Sequence, residues 1–306
     1  LAEVEVVEKT SIAGPAILDD AKIWQQTGIL SQKPGGSAIT ATANRILMFY
    51  RGDDQRMHWA SDFDNRTLIG DSPALEAEML AATWESKNGR VYVAARDSGN
   101  RAIILEADAT AGLSNPKWTT LGRATGGVAV INACDRIVAG WIDGQELKIA
   151  WKPTTSSSGD GWSMPVSMSG SAGTGPSLAV DVADNIGFAF LTQQRRAAFG
   201  LLRCASADFP KAGIADVSSD TWMRRPALAA YGPHFVLSTL SDNRRAYLAV
   251  QHQTSAGEKW QSFEPIPASK MGDAGLPLVD TPQVNVFSGA IVLTGVLSQT
   301  REPLYW

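Results

Sequence analysis

The chain has 306 residues and a mass of 32.6 kDa, 44% of it hydrophobic and 19% charged, enough apolar matter for a sizeable core and too little charge for a disordered chain. Its 27 basic residues stand against 31 acidic ones, so there is no electrostatic footprint for nucleic acid, and no apolar run reaches the ~18 residues of a membrane helix. The start, Leu1-Ala2-Glu3-Val4, reads as processed or trimmed.

In chain order, residues 1–20 read as an arm packed on the body, followed by a short strand at Lys22–Gln26. A pattern then recurs at intervals of about 45 residues. Each unit opens on a strand of small residues: Ser37–Ala43, Met79–Trp84, Val128–Ile131, Pro176–Val182, Pro226–Tyr231 and Leu278–Thr281. A more apolar strand follows and runs into its hairpin: Arg45–Asp54, Arg90–Asp97, Arg136–Asp143, Ile186–Thr192, His234–Ser241 and Ala290–Ser298. A polar hairpin leads to its return strand: Arg56–Ala60, Ala102–Glu106, Leu147–Trp151, Ala198–Leu202, Ala246–Val250 and Pro303–Trp306. Four units add a segment built on Trp118, Trp162, Trp222 or Trp260, and the first has Leu68 in that slot. Short apolar runs between Gly, Asn and Asp punctuation are strands and hairpins.

Six four-stranded units make an all-β protein, a single six-bladed β-propeller over residues 1–306. Inner strands crowd a narrow axis and favour small side chains. Middle strands are buried on both faces, and the rim strand carries the large ring. The last unit lacks a rim strand, and Trp24 lies one interval before Leu68. The Lys22–Gln26 strand is therefore expected to complete the last blade and close the ring.

The sequence offers little obvious chemistry. His58, His234 and His252 have no partner at a metal-ligand spacing, and no cofactor or nucleophile motif is present, so neither metal nor cofactor is expected. Cys134 and Cys204 read as a buried thiol pair, with a disulfide as the alternative. Asn65-Arg66-Thr67 is an N-glycosylation sequon in an expected loop, in keeping with a secreted eukaryotic chain.

The blade layout resembles that of sialidases, but only Ser158-Gly-Asp-Gly-Trp162 approaches their rim-turn box, and its spacing differs. Blade count, size, the arginines that lead the second strands and the rim tryptophans resemble the six-bladed fucose-specific lectins of fungi and bacteria. That resemblance implies a sugar held between blades by an Arg, a Glu on the next strand and an aromatic ring. Arg45, Arg90 and Arg136 match the arginine. Twelve residues on stand Met57, Ala102 and Lys148, so the carboxylate is expected to be missing and fucose sites of that design absent.

The hairpin tips have diverged, which suggests one asymmetric pocket rather than copies of one site. Arg51 and Arg96 are the candidate catalytic donors. Tyr50, Asp53, Asp97, Trp141, Asp143, Gln193 and Arg244 are the candidate binding residues, with the three aspartates orienting the arginines. Without metal, cofactor or nucleophile, such a pocket can still catalyse a reaction that needs only positioning and polarisation. In this respect the chain is similar to the fungal hetero-Diels–Alderases of tropolone-sesquiterpenoid pathways. The resemblance implies a cofactor-independent cyclase acting on a small apolar, oxygen-bearing substrate. The alternative is a glycan-binding protein with divergent sites. Either way the expected partner is a small molecule or a glycan, not nucleic acid or membrane.

Overall fold

The computed structural model describes residues 37–61, 64–77, 80–110, 112–155, 161–169, 171–204, 209–254, 257–266, 283–287, 290–296 and 303–305. Blade one consists of β1 (Ser37–Ala41), β2 (Ile46–Arg51), β3 (Met57–Ser61) and β4 (Asp64–Leu68). Blade two is β5 (Ala81–Glu85), β6 (Arg90–Arg96), β7 (Arg101–Asp108) and β8 (Ser114–Arg123). Blade three is β9 (Val128–Ala133), β10 (Arg136–Asp143), β11 (Glu146–Pro153) and β12 (Val166–Ser169). Blade four is β13 (Ala172–Val180), β14 (Ile186–Thr192), β15 (Arg196–Leu202) and β16 (Ile214–Thr221).

Blade five holds β17 (Ala227–Tyr231), β18 (His234–Leu240), β19 (Ala246–Thr254) and β20 (Gly257–Trp260), with β21 (Glu264–Pro265) also paired to β19. Blade six contributes β22 (Gln283–Phe287), β23 (Ala290–Val296) and β24 (Pro303–Tyr305). Every sheet is antiparallel, and successive innermost strands from β1 through β5, β9, β13 and β17 to β22 lie against one another. The molecule is a six-bladed β-propeller. The arm at 1–20, the strand at Lys22–Gln26, Leu278–Thr281 and the hairpin tip expected in the sixth unit at 297–299 lie outside the described residues.

The core is a set of slabs between neighbouring blades. Along β6, Val91, Val93 and Ala95 pack toward blade one, while Tyr92 and Ala94 pack toward blade three. A strand buried on both faces must be apolar throughout, which is why the second strands read as continuous runs rather than alternations. Equivalent slabs join blades three and four around Phe188 and Phe190, and blades four and five around Phe199, Trp222 and Phe235.

The rim departs from expectation at two tryptophans. Trp118 and Trp260 stand in β8 and β20, but Trp162 precedes β12 and Trp222 follows β16. Trp222 is buried and begins the chain that leaves its blade. Its amide donates to the Arg195 carbonyl at 2.8 Å, and its ring packs against Phe263 and Tyr247 at centroid distances of 4.5 and 5.2 Å. The Asn65–Thr67 sequon lies in β4, the outermost strand of its blade, not in a loop.

The ring has two unlike faces. One carries the hairpins between second and third strands together with the blade-to-blade connectors. There, among the described residues, the connectors are stitched to the tip they leave and the tip they enter. Leu75 N donates to Gln55 O at 2.7 Å and Glu76 N to Arg96 O at 2.9 Å. The pattern repeats with Ala124 to Asn100 and Thr125 to Ile142, and with Trp222 to Arg195 and Met223 to Leu240. The opposite face carries the turns between first and second strands.

Candidate functional site

All nine residues singled out from the sequence belong to the connector face, from three in blade one to one each in blades four and five. Several are occupied in holding that face together. The Arg51 Nε donates to the Leu75 carbonyl at 2.7 Å, pinning the first hairpin to the connector. Arg195 does the same in blade four, donating to the Trp222 carbonyl at 2.8 Å. Arg96 donates to the Asn100 side chain within its own turn at 2.7 Å.

Two of the expected roles need correction. Trp141 is 1% exposed, sealed between blades two and three, and its indole donates to the Arg123 carbonyl at 2.9 Å. It packs the slab and presents no ring to a ligand. Asp97 is also 1% exposed. One carboxylate oxygen accepts from the amides of Gly99 and Arg101, and the other accepts from the Arg101 Nε at 2.7 Å. It closes its own turn and orients Arg101, not Arg51 or Arg96.

Asp143 faces Arg123 at 3.9 Å. Asp53, Gln193 and Arg244 are exposed on their tips. Gln193 is held through its backbone, which donates to the Ser171 carbonyl at 2.8 Å, and Arg244 sits at a left-handed turn position with φ of 61°. Tyr50 stacks on His58, with ring centroids 5.6 Å apart. His58 in turn bonds Asp54 at 3.0 Å, so, against expectation, it does have a carboxylate partner four residues back.

The expectation that each matching arginine lacks a carboxylate also fails at Arg90. Its guanidinium is paired with Glu106, sixteen residues on, because β6 and β7 are longer than the twelve-residue spacing allows. Lys152 of blade three reaches across the seam to the other oxygen of Glu106 at 2.8 Å. Burial, and then the charge of Glu106, pushes the neighbouring Tyr92 phenol up to about 12. This Arg–Glu pair is closed by a lysine of the same chain.

The opposite face holds an open hollow of about 180 Å³, framed by turns of blades two, three and four. Glu85, Ser86 and Lys87 line one side, Asn132 to Asp135 and Thr154 another, and Asp184 the third. The walls are polar and well ordered by local bonds. Glu85 accepts from the amides of Lys87 and Asn88, and the Asn132 side chain donates to the Trp84 carbonyl. Lys87 pairs with Asp135, which raises the lysine's pKa and lowers the carboxyl's.

One edge of the hollow is covalent. Cys134, in the turn between β9 and β10, is bonded to Cys204, which follows β15, with Cα atoms 5.3 Å apart. The pair is a disulfide across the seam of blades three and four, rather than two buried thiols. Asp184 lies beside it, its carboxylate accepting from the Cys134 amide at 2.7 Å. The sequence reading missed this face because its polar residues come from separate turns and form no motif. The small polar residues that close those turns are its only sequence mark.

Neither a family model nor a curated relative matches the sequence. Solved structures do match. A triple arginine-to-alanine variant of AofleA from Arthrobotrys oligospora aligns with a TM-score of 0.65 at 11% identity, covering 89% of this chain and 82% of its own. A variant of the Aleuria aurantia lectin in complex with Fucα1-6GlcNAc aligns at 0.58 and 13% identity, covering 89% and 91%. The PQQ-bound aldose sugar dehydrogenase of Streptomyces coelicolor aligns at 0.51 and 14% identity, covering 88% and 89%. The protein thus has the six-bladed fold of the fungal fucose-lectin-like proteins. That one fold also serves a dehydrogenase means that function must be argued from the site.

Proposed function

We propose that this protein binds a glycan, and that the polar hollow on the face opposite the connectors receives it. The observation that carries this reading is the character of the hollow: open and polar, with the exposed Asp135 and Asp184 among its lining beside Asn132 and Thr154. Such groups match sugar hydroxyls as donors and acceptors. An apolar substrate would require an enclosed greasy cavity. The fucoside bound to the Aleuria lectin makes fucosides the first compounds to try. The disulfide and the sequon support a place in the secretory pathway.

A saccharide array followed by calorimetry tests the proposal. Millimolar-or-better binding with one site per chain is expected, and Asp135→Ala and Asn132→Ala should each weaken it. The aspartate should cost about tenfold or more, the worth of a charge-assisted hydrogen bond. Binding that ignores both substitutions, or no binding to any saccharide, overturns it.

A second reading, a cofactor-independent cyclase on the connector face, draws on the corner of blade one. There Tyr50, stacked on His58, stands beside Arg51. In this reading Arg51 and Arg96 polarise a substrate carbonyl, and Tyr50, Asp53, Asp143, Gln193 and Arg244 contact the substrate. Incubation with polyene–enone substrates should then give a cyclised product whose formation falls at least about tenfold in Arg51→Ala or Arg96→Ala. Unchanged turnover in both variants removes the arginines from the mechanism.

A further inference from the structure

We propose that Cys134, Cys204 and Asp184 form a zinc site once a dithiol reductant has opened the disulfide. The two sulfurs and a carboxylate oxygen of Asp184 all lie within 4.8 Å of one another. This is the ligand chemistry that Zn²⁺ prefers, two soft thiolates and one carboxylate. The sequence conceals the site because the two cysteines are 70 residues apart and come from different blades.

The geometry suits the metal. Tetrahedral zinc with Zn–S near 2.3 Å sets its two sulfurs roughly 3.8 Å apart. Cα atoms 5.3 Å apart allow that separation by rotation of the two side chains alone. The Asp184 carboxylate is already oriented, because one oxygen accepts from the Cys134 amide. That bond is the outer-shell support a ligating carboxylate needs. Cys134 and Asp184 line the hollow and Asp184 is exposed, so water can reach the metal there and complete the shell.

The chemistry balances without any further reactant. A thiolate of the reductant attacks one cysteine sulfur and the S–S bond breaks. Two electrons pass from the reductant, which leaves as a cyclic disulfide, and two protons end on Cys134 and Cys204. Zinc then displaces both protons as it takes the thiolates. The seam between blades three and four is thereby fastened in either state, by a covalent bond when oxidised and by a metal when reduced.

The test uses the full chain, reduced, stripped with a chelator and titrated with Zn²⁺ against a chromophoric competitor. Co²⁺ serves as the spectroscopic probe. The reduced wild type is expected to take one equivalent of zinc and to show a sulfur-to-cobalt charge-transfer band. The reoxidised wild type should show neither, a control that needs no mutation. Asp184→Asn keeps the acceptor for the Cys134 amide, and should weaken zinc by more than the ~10–100-fold an outer-shell partner is worth. The proposal fails if the reduced chain binds no more zinc than a Cys134→Ser/Cys204→Ser double variant. It fails equally if Asp184→Asn binds as tightly as wild type.

Discussion

Glu106 shows how much one buried charge can demand. It is 7% exposed, and it answers two cations, Arg90 on its own blade and Lys152 on the next. Lys152, 4% exposed, meets that carboxylate at 2.8 Å. Removing the acid would leave the buried Lys152 ammonium beside the half-buried Arg90 guanidinium with no counter-charge between them. Glu106→Gln is therefore expected to cost about 3–5 kcal/mol in urea unfolding, the penalty for breaking a buried ion pair from one side. Lys152→Met leaves the Arg90–Glu106 pair whole and replaces a buried ammonium by an apolar chain, so it should cost less than half as much. Equal losses in both variants would mean that packing, not charge, governs the seam.

Among the strands, glycine and phenylalanine fit each other across neighbouring positions. Phe188 on β14 pairs with Gly200 on β15, and a Cβ at Gly200 would meet the Phe188 ring at 2.2 Å. Gly187 makes the same room for Phe235 of the next blade, where a Cβ would come within 2.5 Å of the ring. The rings are fully buried, so neither can swing clear. Gly200→Ala should destabilise the protein by about 1–3 kcal/mol through overpacking. Gly213, which has nothing within 4 Å of its Cβ direction, should accept alanine within about 0.5 kcal/mol. Thermal unfolding of the two variants side by side reads the difference; a harmless Gly200→Ala would show that blade four can repack.

Across the whole molecule, the two ends of the ring have separate tasks. The connector end is laced by backbone bonds from the described connectors to the tips on either side, and Arg51, Asp97 and Trp141 belong to that lacing or to the slab beneath it. The opposite end joins three blades around a hollow and fastens two of them with a disulfide. Closing so long a loop is worth about 4 kcal/mol on chain-entropy grounds.

The sequence alone determined the blades. A second strand buried on both faces must be apolar throughout, an inner strand near the axis must be small, and a hairpin must turn on polar residues. Arg90–Arg96 or Ile186–Thr192 therefore announce their place without reference to anything distant. The tertiary structure alone decided which residues meet. Trp141 reads equally as a platform or as packing until blade two covers it, and Glu106 gains its meaning from a lysine on another blade. Cys134, Cys204 and Asp184 come together only because blades three and four stand side by side. Local patterning is written into each strand, whereas a site shared between blades depends on how neighbouring blades stack, and no short stretch of chain encodes that.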